Sequence, residues 1–166
     1  MNSDAELSAL SAQLGRYLLE RNLRMVTAES CTGGWIGKVL TDISGSSAWY
    51  LGGVVAYSNA LKETLLGVRA TTLVEHGAVS EPAAREMAIG ALQALGGDIA
   101  VAVTGIAGPD GGTADKPVGT VWFAWAWRTG DTIGVRVEHE VFSGDRDQVR
   151  RATVRLALAE VVTLDR

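Results

Sequence analysis

Four short apolar runs constrain this chain more than any other feature: 24–28 (RMVTA), 53–58 (GVVAYS), 98–105 (DIAVAVTG) and 120–127 (TVWFAWAW). Each has the length of a strand and is too short for a buried helix. The last is apolar on both faces, as a central strand is. Helical stretches separate the first three. Strands joined by helical crossovers pair in parallel.

The helices carry their own signals. Ser3 and Glu6 match a capping box, and Leu7, Leu10, Leu14 and Leu18 follow helical spacing to about residue 21. GGWIGKVL (33–40) restarts a helix, 44–53 reads as a loop, and NALKETLLG (59–67) reads as a short helix. Ser80 caps a helix with Pro82 in its first turn and Gly96-Gly97 at its end. RTGD makes a turn into TIGVRVEHEV (132–141), where Ile133, Val135, Val137, His139 and Val141 share one face. That alternation predicts a strand nearer the edge, antiparallel to its predecessor. A helix closes the chain. The order α-β-α-β-α-α-β-β-β-α predicts the α/β class: a three-layer α/β/α sandwich on a mixed, mostly parallel sheet. Ligands gather at the carboxyl ends of the parallel strands in such sheets. Three polar or Gly-rich segments leave strands there: 29–34, 57–62 and 104–119.

With 166 residues, 47% of them apolar, one domain over 1–166 is expected. No apolar run reaches membrane-spanning length and the N-terminus lacks a signal-peptide pattern, so the expectation is a cytoplasmic protein without a membrane partner. A net charge of −4 argues against nucleic acid as a main partner. One cysteine, Cys31, excludes an internal disulfide. The aromatic and apolar content agrees with a homo-oligomer, most simply a dimer. Positive charge is supplied by twelve Arg and three Lys: Lys38, Lys62 and Lys116. A Lys can lose its proton inside a protein and an Arg cannot, so each Lys asks for a reason.

Ser30 follows an apolar strand and precedes Gly33-Gly34 at a helix start. Such a turn presents a hydroxyl beside outward-pointing N–H groups and suits a nucleophile whose product is an oxyanion; it equally suits an N-cap. Lys62, in the first turns of the next helix, lies beside Ser30 if the first two strands are neighbours. As a base it must be neutral, which needs desolvation; the alternative is a solvated helix Lys. Tyr57 is placed to relay a proton or to pack in the core. Cys31 is the rival nucleophile, since a helix N-terminus can activate a thiolate. His76, in a turn, and His139, mid-strand, have no evident path to the strand ends. The segment 105–119 is too long for a mere connector, and Thr104 and Gly105 open it. It has no Walker A pattern. Arg146, in the first turn of the last helix, is placed to hold a phosphate or to lie on the surface.

The motifs TAESCTGG, GSSAWYLGGVVAYSNALKETLLGV, HGAVSEPAAREMA, VTGIAGPDGGTADKPVGTV and SGDRDQVR together resemble the C-terminal domain of the competence/damage-inducible protein CinA, in particular its stand-alone nicotinamide mononucleotide deamidase (PncC) type. The resemblance runs from the first helix to the last. It implies an amidohydrolase that converts nicotinamide mononucleotide (NMN) and water to nicotinate mononucleotide and ammonia in pyridine nucleotide recycling. It also implies a Ser/Lys mechanism with no metal or cofactor. By motif, Ser30 of ESCTGG is the nucleophile, Lys62 of YSNALK the base and Tyr57 a participant. Thr32, Gly33, Gly34, Thr104 and Gly105 shape the substrate pocket, with Thr32 as helix cap. Arg146 of GDRDQVR takes the phosphate. The oxyanion falls to N–H groups of 31–34 or 104–108, and Trp49 or Tyr50 stacks on a ring or packs internally. The larger N-terminal domain of two-domain CinA proteins is not present in this sequence, so no pyrophosphatase activity is carried over. The contrasting expectations are a non-catalytic nucleotide- or partner-binding module, and a deamidase of a related pyridine compound.

Overall fold

The computed structural model describes residues 3–165. Its elements are α1 (Asp4–Glu20), β1 (Met25–Glu29), α2 (Trp35–Thr41), β2 (Tyr50–Val55), α3 (Asn59–Leu66), α4 (Ala70–His76), α5 (Glu81–Leu95), β3 (Ile99–Gly105), β4 (Thr120–Thr129), β5 (Thr132–Val141) and α6 (Arg146–Ala159). The five strands form one sheet in the order β2-β1-β3-β4-β5. β1 pairs in parallel with both β2 and β3, whereas β4 pairs antiparallel with β3 and β5. The mixed sheet and the edge position of β5 are as the sequence predicts. Its balance is more even than "mostly parallel", because the antiparallel β4 and β5, ten residues each, are its longest strands.

Strand alternation builds a core on each face. Ile99, Val101 and Val103 of β3, with Val121, Phe123 and Trp125 of β4, pack against α1, α2 and α6. The intervening Ala100, Ala102, Ala124 and Ala126 face α3, α4 and α5. Large side chains fill one layer, and small ones let α5 lie close on the other. Trp125 satisfies its indole by donating from Nε1 to the Ala157 carbonyl at 2.9 Å.

Two elements differ from expectation. β2 begins at Tyr50, inside the segment read as a loop. Its Gly52-Gly53 pair hides the strand pattern, yet a Cβ at Gly53 would fall 2.0 Å from Thr27 Oγ1 of the neighbouring strand. α4 carries no strong sequence signal and is held by tertiary contacts: Leu73 is buried, and Thr72 donates to Glu86 Oε1 of α5 at 2.8 Å.

α5 in turn fixes α3. A Cβ on Gly90 would lie 1.7 Å from the Leu66 carbonyl oxygen at the end of α3. Gly90→Ala is therefore expected to lower stability by about 1–3 kcal/mol in thermal or denaturant melts, despite the ~1 kcal/mol helix-propensity gain of Ala over Gly. An unchanged or raised midpoint would contradict this close contact.

Candidate active site

The carboxyl ends of β1, β2 and β3 meet at a cavity of about 200 Å³. Ser30, Cys31, Tyr57, Asn59, Lys62, Thr104, Gly105 and Arg146 are among its lining residues, and none of the lining residues is acidic. The three segments leaving the strand ends do converge, because β1 lies between β2 and β3.

Ser30 continues the ladder by one residue: its N–H donates to the Val103 carbonyl at 3.0 Å. The chain then turns sharply into α2 through Gly33 and Gly34, with φ of 62° and 96°. Glycine adopts this left-handed region without steric cost. The cap of α2 is not Thr32. Gly34 occupies the N-cap position with no capping side chain. The capping acceptor is Glu29, the last residue of β1, whose side chain is buried. Its carboxylate accepts from Thr32 Oγ1 (2.6 Å) and from the N–H groups of Gly34 (3.1 Å), Ile36 (3.0 Å) and Gly37 (2.8 Å). Thr32 turns toward Glu29 because both lie beneath the same tight turn. Sequence reading missed Glu29; a carboxylate just before a helix start was its only signal.

Lys62 comes from the opposite side. Ser58 caps α3, its Oγ accepting from the Leu61 N–H at 3.2 Å. This cap sets a helix whose inner face carries Lys62 and Leu66. Lys62 is 1% exposed. Its Nζ lies 3.0 Å from Ser30 Oγ, 2.8 Å from the Ala56 carbonyl and 3.4 Å from the Tyr57 carbonyl. Burial pushes its pKa below that of an ordinary lysine. No carboxylate pairs with it among the described residues, and none lines the cavity. The other lysines are structural: Lys38 pairs with Asp42 on the surface, and Lys116 donates to the His76 carbonyl.

Cys31 packs into the core at 6% exposure. Burial raises its thiol pKa to about 12. Such a raised pKa keeps the thiol protonated at neutral pH, which disfavours it as a nucleophile.

Tyr57 is 61% exposed, which removes the core alternative. Arg146 donates from Nη2 to the Tyr57 hydroxyl (3.3 Å) and from Nη1 to the Gly108 carbonyl (2.9 Å). It thereby ties α6, the Gly-rich loop and Tyr57 at one rim. Thr104 lines the wall and donates to the Ala78 carbonyl at 2.9 Å. Thr32, Gly33 and Gly34 line a neighbouring cleft with Trp35 and Arg150 instead. Trp49 is 2% exposed and Tyr50 donates to or accepts from Thr27 Oγ1 at 2.8 Å, so neither reaches the cavity to stack on a ring. His139 stacks on Trp122 at 4.6 Å, and His76 ends α4; neither lines the cavity. Among the described residues, no group of three or more His, Cys, Asp or Glu is placed to hold a metal ion. No described helix is long and apolar enough to cross a membrane.

Residues 7–164 match the CinA C-terminal domain. The chain belongs to that family. The nicotinamide-nucleotide amidohydrolase PncC of Escherichia coli (strain K12) is 58% identical over 94% of this chain and 93% of that protein. A CinA-like protein of Geobacter sulfurreducens is 49% identical over 91% of this chain, but only 36% of its own length is covered. The family domain thus also occurs within a longer chain. The crystal structure of the competence/damage inducible protein CihA from Agrobacterium tumefaciens superposes with a TM-score of 0.90 at 42% identity, covering 99% of this chain and 97% of that one.

Glu29→Gln replaces one acceptor oxygen by a donor and removes the charge that strengthens these bonds. The expected loss is about 2–4 kcal/mol in denaturant unfolding. Unchanged stability would contradict the capping role.

Proposed function

We propose that this chain is a nicotinamide-nucleotide amidohydrolase that hydrolyses the carboxamide of NMN with a Ser30–Lys62 pair. The observation that carries the reading is the 3.0 Å contact between a buried, carboxylate-free lysine and the hydroxyl at the strand end. Two carbonyls, of Ala56 and Tyr57, accept from Lys62 Nζ. A neutral amine has two N–H donors, so these acceptors leave its lone pair for the Ser30 hydroxyl proton. The amidohydrolase relatives support the substrate. Arg146, in a cavity with no acidic lining residue, suits a phosphorylated ligand.

The reaction follows from this geometry. Ser30 Oγ attacks the carboxamide carbon as Lys62 accepts its proton, and a tetrahedral oxyanion forms. Collapse breaks the C–N bond. Lys62 returns the proton to the departing nitrogen, which leaves as ammonia. Water then attacks the nicotinoyl ester, giving its proton to Lys62. The ester bond breaks, Ser30 recovers its proton, and nicotinate mononucleotide leaves. Tyr57 and Arg146 at the rim hold the nucleotide phosphate.

Purified protein is expected to release ammonia from NMN. Ser30→Ala should lower turnover by about 10³-fold or more, while Cys31→Ala stays within about threefold of the parent. Lys62→Arg should also abolish turnover, because an arginine cannot accept the proton. Turnover that survives Ser30→Ala and falls with Cys31→Ala would replace this reading with a thiol mechanism. Nucleotide binding without ammonia release would favour a binding module.

The lowered pKa of Lys62 fixes the sign of the pH dependence. The base is active when deprotonated, so kcat/KM should rise with pH. The midpoint of that rise should lie below the ~10.4 of a free lysine. A pH–rate profile that falls over this limb would contradict a neutral-lysine base.

A further inference from the structure

The turn that carries Ser30 is gripped from behind by a residue outside the cavity. Arg150 of α6 donates from Nε to the Cys31 carbonyl at 3.1 Å and from Nη2 to the Thr32 carbonyl at 2.8 Å. Its guanidinium carbon sits 5.1 Å from the centre of the Trp35 ring. Gly33 lies against this fork, a Cβ there falling at ordinary contact distance, 3.5 Å, from Nη2.

A trans peptide points its N–H opposite to its C=O. With the Cys31 carbonyl on Arg150, the Thr32 N–H in the same plane points away from the guanidinium. With the Thr32 carbonyl on Arg150, the Gly33 N–H points back, and it donates to the Ser30 carbonyl at 3.0 Å. That bond fixes the plane holding the Cys31 N–H. Arg150 therefore holds the Cys31–Thr32 plane, and it shares the Thr32–Gly33 plane with the Trp35 N–H, which donates to the Thr32 carbonyl at 3.2 Å.

The hydrogen bonds of the turn leave few donors. The N–H groups of Ser30, Gly33 and Gly34 are taken by Val103, Ser30 and Glu29. Ile106 in the facing loop donates to the Thr120 carbonyl. Among the described residues, the N–H groups of Cys31 and Thr32 have no oxygen acceptor in the protein, and the Cys31 N–H meets only its own thiol sulfur. They are the first two amides after the hydroxyl.

We propose that Arg150 is a positioning residue that holds the Cys31 and Thr32 amides as the oxyanion hole of Ser30. This rests on the Ser30 reading above. The guanidinium charge behind the carbonyls also polarises these peptides toward a developing anion. Arg150 does not line the Ser30 cavity, so its loss should act on turnover rather than on substrate binding.

The test compares the parent, Arg150→Ala and Arg150→Lys in two assays: steady-state ammonia release from NMN, and the rate at which a fluorophosphonate modifies Ser30. The phosphoryl oxygen of that adduct occupies the oxyanion position. Arg150→Ala is expected to lower kcat by about 10- to 100-fold with KM within about threefold, and to slow the fluorophosphonate reaction in parallel. Arg150→Lys, which keeps the charge and loses the fork, should recover part of both rates. Parent-like rates in Arg150→Ala, or a loss confined to KM, would overturn the assignment. If Arg150→Ala does not fold, Arg150→Lys with a parent-like melting midpoint decides: slowed phosphonylation supports the role and a parent-like rate overturns it. A parent protein that reacts at Ser30 yet releases no ammonia from NMN would contradict the substrate reading alone.

Discussion

The site depends on one buried carboxylate. Glu29 ends β1 and is bonded by the hydroxyl of Thr32 and three N–H groups at the start of α2. This fixes the angle at which the chain leaves the sheet, and so the place of Ser30. Glu29 is fully engaged by α2, and Lys62, carried by α3, contacts two carbonyls and a hydroxyl in a cavity with no acidic lining residue. Desolvation then acts on the amine without an opposing anion, which is the condition a lysine base requires.

Three separate parts of the chain complete what Glu29 begins. The parallel β1–β2 pairing and the Ser58 cap of α3 bring Lys62 to Ser30. The close approach of α5 at Gly90 holds α3 in place. The last helix closes the arrangement from more than a hundred residues away in sequence. Arg146 and Arg150 stand one turn apart on α6. The first reaches the rim through Tyr57 and Gly108; the second reaches the back of the Ser30 turn. One helix face thus serves both the ligand side and the framework side of the site.

Ser30 and Lys62 were legible in the sequence because their signals are local and topological. Each follows an apolar strand, and helical crossovers make those strands parallel neighbours. The strand runs of β3 and β4 and the capping box at Ser3 were legible for the same reason. What stayed hidden is tertiary. Thr32 looks like a cap, but the tight Gly33-Gly34 turn hands that task to Glu29. Arg150 looks like any arginine of a polar helix face, and its carbonyl partners lie 118 and 119 residues away. α4 has little periodicity and is fixed by Glu86 and by burial of Leu73. Trp49 reads as a possible stacking ring until Gly15 is seen to leave space for it inside the core.

The most direct measurement is the mass of the peptide containing Ser30, taken from a reaction with NMN quenched in acid during turnover. The account predicts an added nicotinoyl-mononucleotide ester on Ser30, absent from Ser30→Ala and formed normally in Cys31→Ala. An adduct on Cys31, or full ammonia release by Ser30→Ala, would contradict it.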